Sequence, residues 1–249
     1  MTLRAAIDSG LGLSRSLAIY YGRPARQRAL ERFYAGLLGR GDLAFDIGAH
    51  VGNRSRAMRA AGARVVAVEP QAPFAGFLRR TLPRDVALVT AAVGPKETRG
   101  ALSVSRRHPT VSSLRSDFAD AVGDRPGFEH VRWDAAQQVA VTTLDALIAE
   151  HGTPRLIKID VEGFEAEVLA GLSRTVPLIA VEYLPALPDA ARAALDRIAA
   201  LGPYAFNLVT GEDGAFAWDD WRDDAAVRRW LDGLAPDDGP GDIYARLPG

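Results

Sequence analysis

The feature that most constrains the fold is a glycine-bearing turn set between two short apolar runs. Leu43-Ala44-Phe45-Asp46-Ile47 reads as a buried strand and feeds into Gly48 and Gly52. Residues 53–61 have helical composition and stop at Gly62, and Arg64-Val65-Val66-Ala67-Val68-Glu69 is a second β-rich run closed by Pro70. Strand, helix and strand in so few residues leave room only for a right-handed parallel crossover. The alternation continues with a helix at 74–82 and strands at 86–93, 155–161 and 178–183, the last two followed by helices at 164–172 and 189–201. The pattern predicts an open α/β sheet with its ligand crevice beyond the carboxyl ends of the strands.

Two stretches depart from simple alternation. Segments 100–105 and 138–143 alternate like strands and flank a polar excursion containing His108, Ser112 and Ser113, so an inserted β-pair with a loop near the crevice is expected. After a strand at 204–209, a segment with Trp218, Trp221 and Trp230 precedes a last strand at 242–247. The tryptophans either wall the ligand crevice or pack a peripheral helix; the spacing of Trp221 and Trp230 suits one helical face. At the other end, Leu11, Leu13, Leu17, Ile19 and Tyr20 form one cluster and Leu30, Phe33, Tyr34, Leu37 and Leu38 another, both at helical spacing. The expected organisation is a helical extension over 1–40 and a catalytic domain over 41–249, with an insertion at 95–154.

Composition narrows the partners. The 249 residues hold 30 basic and 31 acidic side chains, so no overall positive field recruits nucleic acid or an anionic membrane, although a local basic patch can. Arg4, Asp8 and Arg15 interrupt the first apolar stretch, which argues against a secretory signal, and no run is long enough to span a membrane. The chain has no cysteine, which removes thiol chemistry and disulfides and fits an expected cytoplasmic setting.

The first chemical constellation is Asp46-x-Gly48-x-x-x-Gly52 with Glu69 at the end of the next strand. Glycines there let backbone approach a ligand, and an acid about twenty residues on can accept hydrogen bonds from both ribose hydroxyls. His50 stands where a dinucleotide fingerprint needs glycine. A phosphate loop would need one more residue and a lysine. What remains suits an adenosine ligand without a pyrophosphate, of which S-adenosylmethionine is the commonest. The competing reading is a tight β–α turn.

The second constellation is Lys158-Ile159-Asp160-Val161-Glu162-Gly163-Phe164-Glu165. Alternation puts Lys158, Asp160 and Glu162 on one side of an otherwise apolar strand, where unpaired charges would be costly, so they need partners or a ligand. A structural Lys158–Asp160 ion pair, and a solvated or capping role for Glu165 in the following helix, are the alternatives.

These runs, together with Val68-Glu69-Pro70 and Thr143-Leu144-Asp145, closely resemble the FkbM family of S-adenosylmethionine-dependent methyltransferases over roughly residues 41–185. The resemblance implies a Rossmann-like seven-stranded sheet, mostly parallel with its last strand antiparallel. It also implies O-methylation of a hydroxyl on a small molecule, sugar, lipid or polyketide-like metabolite. His50 replaces the family's frequent Asn. The residues expected at the cofactor are Asp46, Gly48, His50, Gly52, Asn53, Glu69, Pro70, Ala92, Ser112, Ser113 and Asp160.

Transfer to a hydroxyl needs positioning and a base. Glu162, Asp160 and His108 are the candidates, with Asp160 expected at the methionine end of the cofactor and Glu162 toward the acceptor. No histidine pair has metal-ligand spacing and no metal is expected, though carboxylates alone are able to bind a divalent ion. The expected partner is a small-molecule or glycan acceptor with a free hydroxyl, rather than nucleic acid. The basic clusters at 23–32 and Arg106-Arg107 lack interleaved aromatics for base stacking. RNA methylation and a non-enzymatic nucleotide-binding role are the alternative functions.

Overall fold

The computed structural model describes residues 3–105, 112–114, 131, 133–211 and 214–248. Two helices open the chain, α1 (Leu3–Tyr21) and α2 (Pro24–Ala35). The crossover follows as β1 (Leu43–Ile47), α3 (Asn53–Ala60) and β2 (Arg64–Val68), then α4 (Ala72–Thr81) and β3 (Val86–Val89). The three strands β4 (Ala92–Val93), β5 (Thr98–Val104) and β6 (Ala135–Thr142) come next. The chain continues through α5 (Leu144–His151), β7 (Leu156–Ile159), α6 (Glu165–Leu169), β8 (Leu178–Tyr183) and α7 (Pro188–Leu201), and finishes with β9 (Ala205–Thr210), α8 (Asp224–Asp232) and β10 (Gly241–Arg246).

Seven strands form one sheet in the order β3-β2-β1-β7-β8-β10-β9. All pairings are parallel except those of β10, which runs antiparallel to both β8 and β9. This is the Rossmann-like methyltransferase sheet, with the expected antiparallel last strand. The order reverses between β1 and β7, and their carboxyl ends bound the crevice.

Period-two alternation splits the core into two layers. Phe45, Ile47, Val66, Val68, Ile157, Ile159, Ile179 and Val181 face α5 to α8, where Leu144, Val168, Leu195 and Val227 meet them. Ala44, Val65, Ala67, Leu156, Leu178 and Ala180 face the other way, onto Leu30 and Tyr34 of α2, Met58 of α3 and Leu78 of α4. The N-terminal helix α2 therefore shares the core of the sheet. Smaller side chains face α2–α4, and the bulkier aliphatic ones fill the opposite layer.

Three expectations change. The run at 86–93 divides because the chain turns at Thr90-Ala91: β3 stays in the main sheet, while β4 pairs in parallel with β6 in a second sheet of order β4-β6-β5. The inserted β-pair is present as the antiparallel β5–β6 ladder. The helix expected over 164–172 is only Glu165–Leu169, and just past it Gly171 lies so close to the Gly94 carbonyl that a side chain there would collide. Trp221 lies before α8, so it shares no helical face with Trp230.

Gly48 ends β1 with φ +82°, and a β-carbon there would run into the carbonyl oxygen of Asp160 just past β7. Both the left-handed backbone and the contact between strand ends require glycine. Gly48→Ala is expected to lose about 2–4 kcal/mol in urea unfolding, and a loss under about 0.5 kcal/mol would contradict the close approach.

Candidate active site

Glu69 follows β2 and is buried. Its Oε2 accepts from the His50 backbone N–H at 2.8 Å and its Oε1 from that of Gln71 at 2.7 Å. Burial pushes the carboxyl up to about 7 even though both hydrogen bonds favour its charged form. The carboxylate is thus fixed in orientation, and each oxygen keeps lone-pair capacity for a further donor.

The glycines of the turn also answer to the protein's own packing. Gly48 is demanded by Asp160, and Gly52, the N-cap of α3 at φ +77°, would carry a β-carbon 2.8 Å from Leu78. Both positions therefore have a packing reason to be glycine. Between them His50 also has a positive φ, +49°. Its ring packs on Phe74 at 4.1 Å and edge-on to Tyr20 of α1 at 5.3 Å, and its Nε2 is buried with no hydrogen-bond partner among the described residues. Burial lowers it to about 4, so the imidazole is neutral near pH 7.

Asp46 on β1 accepts a short hydrogen bond from the Ser55 hydroxyl of α3. Beside it, Lys158 on β7 is fully buried, with Nζ 2.9 Å from Asp242 on β10 and 3.3 Å from Asp160. Arg54 on α3 lies 3.3 Å from Asp160 and 3.5 Å from Asp242. Burial would raise the Asp160 carboxyl, but Lys158 and Arg54 outweigh it and hold it below the usual range.

Beyond Asp160 the strand has ended, so alternation no longer places Glu162. It sits in a turn with φ +55°. Glu165 is buried and accepts from the Val161 and Gly163 backbone N–H groups at 3.1 and 3.2 Å, locking that turn; burial pushes its carboxyl up to about 7. It is thus neither solvated nor a cap of the following helix, whose N-terminus has no side-chain cap hydrogen bond; it bonds back to the turn that precedes the helix. Carboxylate oxygens of Asp160, Glu162 and Glu182, the last on β8, all lie within 4.8 Å of one another. Burial raises Glu162 and Glu182 well above the ordinary carboxylate value, and the neighbouring Asp160 charge adds to it.

A cleft of about 970 Å³, counted to its open mouth, runs over these strand ends. Of the expected residues, Asp46, Gly48, His50, Asn53, Glu69, Pro70, Ala92, Ser112, Asp160 and Glu162 line it. Gly52 and Ser113 are not among the lining residues; Ser113 is buried and pairs with the Ser103 backbone at the edge of the second sheet. His108 lies outside the described residues. Trp218 and Trp230 pack against the core below Tyr183, and Trp221 packs on Phe216, so the tryptophans follow the packing alternative. Sequence reasoning missed Tyr20, Arg54 and Glu182. Only Glu182 carried a signal, a lone acid in the apolar strand Leu178–Tyr183.

The model of the methyltransferase FkbM domain matches residues 46–235. The chain belongs to the FkbM methyltransferase family. Its methyl donor is S-adenosylmethionine. No curated protein matches the chain. Among solved structures, an O-methyltransferase from Bacillus cereus in complex with S-adenosylhomocysteine aligns at 12% identity and a TM-score of 0.47, covering 95% of this chain and 90% of its own. A precorrin-6Y C5,15-methyltransferase from Geobacter metallireducens aligns at 15% identity and a TM-score of 0.45, covering 88% and 87%. A TehB-like S-adenosylmethionine-dependent methyltransferase from Corynebacterium glutamicum gives 11%, 0.45, and 88% of both chains. At these values the structural likenesses carry no argument about the acceptor of this FkbM methyltransferase.

The raised Glu165 carboxyl makes stability depend on pH. Below about 4.5 it is protonated whether folded or unfolded. Between 4.5 and about 7 the unfolded chain ionises while the folded one holds its proton, so stability falls as pH rises. Relative to Glu165→Gln, the wild type is expected to lose roughly 2–3 kcal/mol between pH 4.5 and 7.5. The opposing titration of His50 is common to both proteins and cancels. Parallel urea-unfolding series across that range check it, and equal pH slopes would count against a protonated Glu165.

Proposed function

We propose that this FkbM methyltransferase transfers the methyl group to a hydroxyl oxygen of a small-molecule, sugar or lipid acceptor. The observation that carries the reading is the division of the cleft. One wall presents a carboxylate oriented by two backbone N–H groups, Glu69. The opposite wall presents Asp160, Glu162 and Glu182 within 4.8 Å of each other.

In this reading Glu69 holds the ribose hydroxyls, the 46–53 turn and Pro70 and Ala92 surround the nucleoside, and Ser112 lies along the same wall. Asp160, kept ionised by Lys158 and Arg54, faces the cationic methionine end. Glu162 takes the acceptor proton. The acceptor oxygen attacks the methyl carbon, the carbon–sulfur bond breaks to leave a neutral thioether, and the proton passes to the carboxylate, so charge balances within the cleft. A positive charge arriving beside Glu162 and Glu182 favours their ionised forms, and a carboxyl with a raised pKa is the stronger base once ionised. A base is needed for an alcohol acceptor, whose own oxygen is a weak nucleophile. A cytoplasmic setting, in keeping with the absence of cysteine, belongs to the same reading.

Glu69→Gln is expected to weaken S-adenosylmethionine binding by about 10-fold or more in calorimetry. Unchanged affinity in a folded variant would remove Glu69 from the site. Glu162→Gln is expected to lower methyl transfer at least 100-fold while cofactor affinity stays within about threefold. The assay uses labelled methyl donor against panels of hydroxylated metabolites, lipids and RNA. Labelling of RNA alone, or full transfer by the Glu162 variant, would overturn the assignment.

A further inference from the structure

The near-zero net charge of the chain hides a separation. Residues 1–40 carry seven arginines against Asp8 and Glu31, a net charge of +5, whereas the remaining residues carry 23 basic against 29 acidic side chains, a net charge of −6. Both helices of this basic segment are fixed to the body. The Tyr21 hydroxyl at the end of α1 donates to the Val51 carbonyl at 2.9 Å and accepts from Arg56 Nε at 3.0 Å. Leu30 and Tyr34 bury α2 in the core.

The outer faces of these helices have a particular composition. Leu11 and Ile19 on α1, 59% and 44% exposed, are the exposed large hydrophobics among the described residues. Arg15 lies between them in sequence and is exposed, as are Arg23, Arg28 and Arg32, the last two one turn apart on α2. The aromatic side chains of the segment point the other way: Tyr20 lines the cleft against His50, and Phe33 packs on Tyr34, Phe216 and Tyr244.

We infer that the α1–α2 surface docks on an anionic lipid bilayer. Arginines alone would suit any polyanion, but Leu11 and Ile19 gain nothing from phosphates and gain burial at the acyl boundary of a membrane. A single-stranded nucleic acid would instead call for aromatic platforms on the outer face, and those are turned inward. The acidic remainder of the chain is repelled by the same surface, so the molecule is electrostatically oriented with α1 and α2 against it. The inference does not depend on which hydroxyl is methylated. Among the described residues no helix is long and apolar enough to cross a membrane, so attachment is peripheral.

Co-sedimentation of the full chain with vesicles tests it. Phosphatidylcholine vesicles containing about one-third phosphatidylglycerol are expected to bind at low salt, at least tenfold better than phosphatidylcholine alone, with release as salt rises. Leu11→Ser/Ile19→Ser and Arg28→Gln/Arg32→Gln are each expected to lose about tenfold in vesicle binding, while calorimetric S-adenosylhomocysteine binding is unchanged. That cofactor measurement keeps a failure of docking distinct from a failure of the methyltransferase reading. Equal binding to neutral and anionic vesicles would overturn the inference. So would tighter binding to polyuridylate than to vesicles, with the Leu11/Ile19 variant unaffected. Should that variant fail to unfold cooperatively, the Arg28/Arg32 variant decides, and its undiminished vesicle binding would also overturn the inference.

Discussion

The site depends on one fully buried ammonium group. Lys158 is enclosed by the sheet and touches Asp160 past its own strand and Asp242 on β10, while Arg54 reaches the same two carboxylates from α3. Removing one partner from such a cluster leaves an uncompensated buried charge, which costs far more than the cluster contributes when whole. Three parts of the fold are thereby tied together at the crevice. The antiparallel strand matters here, because its register sets Asp242 directly opposite Glu182 of β8. Two acids facing each other across a ladder are unfavourable unless a cation or a proton intervenes. Lys158 supplies the cation at Asp242, and burial together with the Asp160 charge raises Glu182 well above the ordinary carboxylate value, which favours its protonated form.

The sheet was legible in the sequence because its strands are buried on both faces and read as short apolar runs separated by glycine turns. The strand at 178–183 and the crossover at 43–69 show that correspondence. Where the reading failed, the cause was nonlocal. The division of 86–93 is decided by β6, whose paired residues lie 49 positions later and which draws Ala92 and Val93 out of the main sheet. The collision that makes Gly171 obligatory comes from the Gly94 backbone, a contact that no local pattern reveals.

The same contrast holds within the site. Glu69 was legible because its distance from the glycine turn is set by one crossover. Tyr20, Arg54 and Glu182 were not, because their place in the cleft depends on how α1, α3 and β8 dock. Arg54 sits one residue into a helix whose composition gives no hint that Asp242, 188 positions later, will pair with it. For Glu162 the expectation came from alternation along a strand that stops at Ile159. The side chain reaches the cleft through a left-handed turn that Glu165 locks. Glu162 thus lines the cleft by a route other than strand alternation, and the lock rather than the pleat fixes its backbone.

The insertion gives the cleft its remaining rigidity. Gln137 on β6 donates from its amide nitrogen to the Pro70 carbonyl at 2.8 Å, and its amide oxygen accepts from the Ala72 N–H at 3.0 Å. Those two backbone groups flank Gln71, whose own N–H holds Glu69. A single side chain of the second sheet therefore braces the corner that orients the Glu69 carboxylate. A buried carboxyl held up to about 7 would, if free to turn, gain by moving toward water. Fixing the Pro70–Ala72 backbone removes that escape. The polar group stays aimed into the cleft, with its carboxyl pushed up to about 7 by burial. The second sheet also supplies Ala92, Val93 and Leu102 as an apolar wall of the same cleft. It lies outside the seven-stranded sheet, yet it walls the cleft and braces the corner that holds Glu69.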